Sequence, residues 1–107
     1  MIDDGTVCRL GEQDYRLTSA EPSLRWLHRN AFGMQVAIEE ISEALGALAL
    51  QGPLSRAVLN AVARDPVDTL GYFRAMDNRI AGVDFQVSRT GYTGDLGYEL
   101  WIPAGGA

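Results

Sequence analysis

The sequence predicts an α+β fold, in which a β-sheet is covered by helices. Three observations support this prediction: β-prone runs lie near both ends of the chain, helical patterns lie between them, and glycines cluster where the chain must turn. The chain has 107 residues, of which 47 % are hydrophobic and 21 % are charged. This length and composition are typical of one globular domain with a modest core.

The predicted strands are short β-prone segments, several of them bounded by turn residues. They cover residues 5–10, 14–18, 35–41, 45–50, 80–88 and 98–102. The first two flank a Gly-Glu-Gln turn, which favours a hairpin. Residues 35–41 alternate, so Val36 and Ile38 are expected to face inward. The run Leu-Gly-Ala-Leu-Ala-Leu at residues 45–50 is wholly apolar, which predicts a central strand that is buried on both faces.

Helical spacing of apolar residues predicts the helices, which cover residues 21–33, 53–63 and 67–74. Ser19 is the expected N-cap of the first helix, Pro22 lies in its first turn, and Gly33 is its expected stop. Pro53 opens the second helix. The element order β-β-α-β-β-α-α-β-β favours a ferredoxin-like βαββαβ unit with extra strands, an antiparallel or mixed sheet with the helices on one face. The predicted core residues are Leu48, Leu50, Val58, Leu59, Val83, Phe85 and Leu100.

The charge and the cysteine content exclude several classes of function. The net charge is −5, and no basic face is present that would suit a nucleic-acid binder. No apolar run approaches the roughly 20 residues that cross a bilayer, so we expect no membrane partner and a cytoplasmic location. Cys8 is the single cysteine and His28 the single histidine, so neither a disulfide nor a metal site is expected.

Residues 88–100 are the most informative stretch, because three glycines, Gly91, Gly94 and Gly97, fall between two predicted strands. Such a loop leaves room for a flat ligand to approach the main chain. Tyr92 offers a ring and a hydroxyl, and the Glu99 carboxylate can accept two parallel hydrogen bonds. The residues alone equally describe a hairpin with glycine turns, a surface tyrosine and a solvated glutamate, and on composition alone that simpler interpretation is preferred.

This stretch resembles the signature of the glycine cleavage T protein (aminomethyltransferase) family. The segments that carry the resemblance are Ser-Arg-Thr-Gly-Tyr-Thr-Gly at residues 88–94, Gly-Tyr-Glu at 97–99, Ala-Leu-Gln-Gly-Pro at 49–53, Ile-Asp-Asp-Gly at 2–5, Tyr-Arg-Leu at 15–17, and the helix with Trp26. Proteins of this family are several times longer. The resemblance therefore implies that residues 1–107 are a single partial domain, the central part of a larger folate-binding fold.

The resemblance implies a tetrahydrofolate-dependent transferase of aminomethyl or methyl groups, inactive as the isolated fragment. Tetrahydrofolate would be the cofactor, and the partners would be a one-carbon donor and, in the aminomethyltransferases, a lipoyl carrier protein. Carried over by position, Tyr92 would contact the folate, Glu99 would pair with the pterin edge, and Arg89 and Thr90 would shape the loop. Self-association of the fragment is expected, because an apolar face meant for the missing part would be bare.

One position departs from the family pattern. Ser23 stands where T proteins carry an aspartate three residues before the tryptophan of the first helix. A neutral hydroxyl cannot supply the same charge or accept a proton as readily. The catalytic residue is therefore left unassigned. The alternatives are a demethylase relative that acts on a different methyl donor and a folate-binding module without catalysis.

Overall fold

The structure, a computed structural model, describes residues 4–21 and 23–106. The chain divides into two compact units, Met1–Glu40 and Ile41–Ala107. The α+β class is confirmed, because each unit combines a helix with antiparallel strands within the described residues.

The first unit opens with the predicted hairpin. Strand β1 spans Gly5–Arg9 and pairs with β2, which spans Tyr15–Ser19. The turn is closed by the main-chain N–H of Leu10, which donates to the carbonyl of Asp14 at 2.9 Å. A side chain at Gly5 would overlap the main chain of β2, so the close approach of the two strands requires glycine there.

Helix α1 spans Leu24–Asn30 and starts later than predicted. Ser19 is not its N-cap, because the Ser19 hydroxyl instead donates to a carbonyl in the turn before the helix at 2.7 Å. Ser23 holds the N-cap position, although its side chain makes no capping hydrogen bond. Gly33 has a φ of +81°, the left-handed conformation expected just beyond a helix end. The prediction for Pro22 lies outside the described residues.

The strand predicted at residues 35–41 is wrong. These residues adopt neither helix nor strand, and a 3-10 turn follows at Ser42–Ala44. Val36 is exposed and Ile38 is only half-buried. An alternating pattern becomes a strand only where a partner strand accepts its hydrogen bonds, and no described strand pairs with this segment.

The second unit is built on a four-stranded antiparallel sheet in the order β3-β6-β5-β4. Its strands are β3 at Leu45–Gln51, β4 at Ala75–Ile80, β5 at Val83–Ser88 and β6 at Gly97–Pro103. The apolar strand β3 therefore lies at an edge, and the prediction that it is central is wrong. The middle of β3 is also exposed rather than buried on both faces, with Leu48 59 % exposed. The described chain offers it one neighbour, β6, whereas burial on both faces would need covering layers that these residues do not supply.

A hairpin occupies the region where one strand was predicted at residues 80–88. Strands β4 and β5 pair up to Ile80 and Val83, and the two residues between them, Ala81 and Gly82, both have positive φ. This combination matches a type I′ turn. Strand β4 escaped prediction because its sequence, Ala-Met-Asp-Asn-Arg-Ile, is half polar and its three polar residues are consecutive, so it does not alternate.

The helix predicted at residues 67–74 is also wrong. This segment forms two turns, with Leu70 N–H donating to the Val67 carbonyl and Arg74 N–H donating to the Gly71 carbonyl, each at 3.1 Å. Val67 and Leu70 are buried, so their apolar spacing reflects packing of an irregular segment onto the core.

Helix α2 spans Ser55–Val62, within the predicted range 53–63, and packs Leu59 against the sheet. The core consists of Leu59, Val67, Leu70, Phe85, Val87, Tyr98 and Leu100. The predictions of burial for Leu59, Phe85 and Leu100 are confirmed. Leu50 and Val83 are half-buried, whereas Leu48 and Val58 are exposed, the latter by 50 %. Consecutive residues of a helix point about 100° apart, so Val58 is turned away from the core that Leu59 joins and is left exposed among the described residues.

Candidate functional site

The glycine-rich loop joins the two central strands of the sheet. It leaves β5 at Ser88 and enters β6 at Gly97, and the register places Ser88 directly opposite Glu99. The main-chain N–H of Gly52 donates to the carbonyl of Leu96 at 2.7 Å, which ties the end of the loop to the turn that follows β3. Rigid strands therefore hold both ends of the loop, as is common for binding sites.

A chain of hydrogen bonds fixes the Glu99 carboxylate. The Thr90 hydroxyl donates to Glu99 Oε2, so the Thr90 oxygen is left to accept from the Ser88 hydroxyl at 2.8 Å. The indole N–H of Trp101 in turn donates to the Ser88 oxygen at 3.3 Å. Every donor in this chain points towards the carboxylate, so Glu99 is held as a half-buried, oriented acceptor rather than as a solvated surface group.

The structure therefore brings Thr90 and Glu99 together, which the sequence did not indicate. Ser88 and Trp101 are participants that sequence reasoning missed. The signal that could have revealed Ser88 is strand register, because residues at the two ends of a short hairpin loop face each other across the sheet.

Arg89 forms hydrogen bonds with the segment that precedes β4. Its side-chain Nη1 donates to the carbonyl of Leu70 at 3.2 Å, and its main chain exchanges hydrogen bonds with Arg74 and Phe73. Phe73 has a φ of +55°, an uncommon conformation for a large side chain. Arg89 therefore anchors the start of the loop to a strained turn.

A cleft of about 280 Å³ opens beside the loop. Its lining consists of Tyr72, Arg89, Thr90, Gly91, Gly94, Asp95, Leu96 and Gly97. Two of the four predicted binding residues, Arg89 and Thr90, line this cleft. Glu99 does not line it and is linked to it only by the hydrogen bond from Thr90. Tyr92 does not line it and is 96 % exposed. The volume lies just below the usual range of ligand pockets, so this cleft by itself can enclose only a small part of a ligand.

Two side chains of α2 make polar contacts where the loop enters β6. Arg56 Nε donates to the buried Tyr98 hydroxyl at 3.1 Å, and this hydrogen bond raises the pKa of the Arg56 guanidinium. The Ser55 hydroxyl donates to the Leu96 carbonyl at 3.2 Å. These contacts satisfy polar groups beside the core and make the base of the loop rigid.

Ser23 belongs to the first compact unit, at the N-terminal end of α1, whereas the glycine-rich loop belongs to the second unit. Within residues 4–21 and 23–106, no group of three or more histidine, cysteine, aspartate or glutamate side chains is placed to hold a metal ion. In the same residues, no helix has both the length and the apolar character needed to cross a membrane.

Comparison with known proteins identifies the family. The model of the GCVT N-terminal domain matches residues 1–107. An aminomethyltransferase of Moorella thermoacetica is 37 % identical over the whole chain, which covers 30 % of that protein. An aminomethyltransferase of Exiguobacterium sibiricum is 37 % identical over 99 % of the chain and 30 % of its own length. A trimethylamine-oxide aldolase of Ruegeria pomeroyi is 38 % identical over 94 % of the chain and 14 % of its own length.

The chain thus spans less than a third of the length of these curated relatives. The match extends over every segment from which the resemblance was inferred, including the loop at residues 88–99 and the Gln-Gly-Pro turn after β3. These findings confirm the family that the sequence indicated: the chain belongs to the glycine cleavage T protein family, and the GCVT N-terminal domain matches its residues 1–107.

Proposed function

We propose that this chain forms part of a tetrahydrofolate-dependent one-carbon transferase, and that the loop at residues 88–99 binds the pterin end of the folate. The observation that carries the proposal is the oriented carboxylate of Glu99, which is fixed by the hydroxyl of Thr90, a residue that lines the cleft beside the loop. The relatives named as aminomethyltransferases support the reaction class.

The residues present fit a pterin by the chemistry of their donors and acceptors. A carboxylate offers about four lone-pair directions, and the structure assigns one of them to Thr90. The remaining directions match a ring edge that presents an amino group beside a ring N–H. Folate would supply the nitrogen that accepts the one-carbon unit. The part of this chain is to bind and orient the ring through Glu99 and Thr90, with Arg89 as the anchor of the loop.

Tyr92 has a separate place in the proposal. Its side chain is almost fully exposed, so no other described residue forms a binding surface together with its ring. Stacking of Tyr92 on folate would require the ligand to extend out of the cleft over the loop. In this arrangement the p-aminobenzoyl-glutamate part leaves towards regions of the protein beyond residues 1–107.

The second candidate is a folate-dependent transferase that takes a methyl group from another donor instead of an aminomethyl group. Two observations favour it. Ser23 replaces the family aspartate, and one relative of equal identity is named a trimethylamine-oxide aldolase. Asp is as good an N-cap as Ser, so Ser23→Asp leaves α1 intact. Under this candidate, Ser23→Asp in the full-length protein lowers transfer from methylated amines or leaves aminomethyl transfer undetectable. A gain in aminomethyl transfer instead supports the first candidate.

The main test measures tetrahydrofolate binding by calorimetry in two proteins, the full-length polypeptide and residues 1–107 alone. We expect binding in the full-length protein and weak or no binding in the fragment, because closed ligand sites need groups from several elements. Micromolar binding by the fragment would contradict the single partial domain that we propose for residues 1–107. Absence of binding in the full-length protein would refute the folate assignment. A lipoyl carrier partner and a cytoplasmic location stay predictions.

A further inference from the structure

The side chain of Gln51 links three parts of the second unit. Gln51 is the last residue of β3 and is half-buried. Its Nε2 donates to the main-chain carbonyl of Tyr98 in β6 at 3.2 Å, and its Oε1 accepts from the Thr93 hydroxyl at 3.3 Å. The Thr93 hydroxyl also accepts the main-chain N–H of Asp95 at 3.4 Å. One amide group therefore joins the edge strand, a central strand and the glycine-rich loop.

The amide occupies the space that two glycines leave open. A Cβ added at Gly91 would lie 2.7 Å from Gln51 Oε1, and a Cβ added at Gly97 would overlap the amide outright. Both glycines therefore lie directly against the Gln51 amide.

The backbone geometry separates these two glycines from the third. Gly94 has a φ of +80°, so its conformation alone favours glycine. Gly91 and Gly97 do not have φ values in the left-handed region. Their requirement for glycine therefore comes from space, and the group that fills this space is the Gln51 amide.

An amide suits this place better than the other side chains of its size. It needs one donor for the Tyr98 carbonyl and one acceptor for the Thr93 hydroxyl, and glutamine supplies both. Glutamate would place a carboxylate against a carbonyl oxygen. Leucine would leave both partners without a hydrogen bond to this position.

We propose that Gln51 is a positioning residue for the folate site, which fixes the loop at residues 91–97 and thereby the orientation of Thr90 and Tyr92. The proposal rests on the folate function proposed above. Gln51 does not line the cleft and acts through the loop. Gln51 thus connects the Ala-Leu-Gln-Gly-Pro segment at residues 49–53 with the glycine-rich loop, although the two are remote in sequence.

The test is a double-mutant cycle in the full-length protein with Gln51→Ala and Gly97→Ala. Folate affinity is measured by titration, at a temperature at which melting curves show every variant to be folded. Gln51→Ala loses two neutral hydrogen bonds that order the loop, so we expect affinity to fall about tenfold. Gly97→Ala is expected to weaken binding at least as much, because the new methyl group displaces the amide.

The decisive comparison is Gly97→Ala in the Gln51→Ala background. With the amide removed, the methyl group has room, so the further loss should be less than about threefold, well short of the sum of the single effects. Matched controls are Gln35→Ala, which truncates an exposed glutamine, and Gly105→Ala, where a Cβ would meet nothing within 4 Å. Both should bind folate as the wild type does.

Hydrogen exchange supplies a readout that does not depend on ligand. The amides of residues 91–97 should exchange faster in Gln51→Ala, while those of β5 keep their protection. Gln51→Glu is measured alone, outside the cycle, because its side chain still fills the space beside Gly97. It keeps the acceptor for Thr93 and loses the donor to Tyr98, so it should also weaken folate binding.

The outcomes separate the two proposals. Folate binding by the wild type with unchanged affinity in the folded Gln51 variants would overturn the role of Gln51 and leave the folate function standing. The same holds if Gly97→Ala costs equal affinity in both backgrounds. Failure of the wild type to bind folate would overturn the proposed function itself.

Discussion

Glu99→Gln in the full-length protein is the sharpest test of the folate site. The substitution keeps the shape of the side chain and replaces one acceptor oxygen with a donating NH₂ group. In the structure Oε2 of Glu99 accepts from Thr90, and a glutamine can preserve that bond through its remaining oxygen. The NH₂ group must then face the donor edge of the pterin.

The expected magnitude follows from that mismatch. One donor of the buried ligand edge loses its partner, which costs about 1–3 kcal/mol, with the upper end favoured because the lost bond is charge-assisted. Since about 1.4 kcal/mol corresponds to a factor of ten, folate affinity should fall about tenfold to a hundredfold. The fold should be retained, because the half-buried Glu99 side chain is not among the core residues.

The assay is folate titration of the wild type and Glu99→Gln, with melting curves to establish folding. The matched control is Glu43→Gln, which makes the same change at an exposed glutamate in the 3-10 turn and should leave affinity unchanged. Equal affinities for the wild type and Glu99→Gln would remove Glu99 from the site. A solvated surface glutamate predicts that result, whereas the oriented carboxylate predicts the loss.

Three further predictions concern the fragment and its stability. Residues 1–107 alone should self-associate at high concentration in sedimentation, because β3 is an uncharged edge strand. Leu48→Lys, which places a charge on the exposed middle of β3, should reduce this self-association. A strictly monomeric fragment would contradict the prediction. Ala81→Asn should stabilise the β4–β5 hairpin by about 1 kcal/mol in thermal unfolding, since asparagine tolerates the positive φ of this turn better than alanine, and a lower melting temperature would contradict it. The hydrogen bond from the Arg79 guanidinium holds the pKa of Asp84 below its usual 3.8. The stability that this pair contributes is therefore fully present above pH 3.8 and is lost as the pH falls through the lowered pKa. Asp84→Asn should therefore flatten the acid limb of the unfolding curve slightly, as expected of an exposed pair, and an unchanged limb would show that the pair contributes nothing.

The site illustrates how much of a structure can be inferred from residue types. Three glycines, a tyrosine and a carboxylate between two strands indicated a ligand loop only once the family resemblance was added. The chain Trp101–Ser88–Thr90–Glu99 could not be inferred in this way, because it depends on the register of β5 against β6. The four predicted binding residues stay predictions until ligand is measured on them.

Two errors in the fold concern strands whose place depends on pairing with distant residues. An apolar run such as β3 was expected at the centre of the sheet, because burial on both faces needs neighbours on all sides. In this chain β3 pairs with β6 alone and lies at the edge. Strand β4 was missed because its polar residues do not form an apolar pattern. Its stability comes from pairing with β5 and from Asn78, whose buried amide bonds with the main chain of Asp65.

The sequence by itself determined the α+β class, the N-terminal hairpin, helix α2, three of the core residues and the family, because these depend on local propensity and on motifs that a short stretch carries. Tertiary structure alone decided the order of the strands, the oriented state of Glu99 and the close approach of the Gln51 amide to Gly91 and Gly97. Each of these is a contact between residues distant in the chain. No local pattern specifies such contacts, because they arise only when strand pairing brings the segments together.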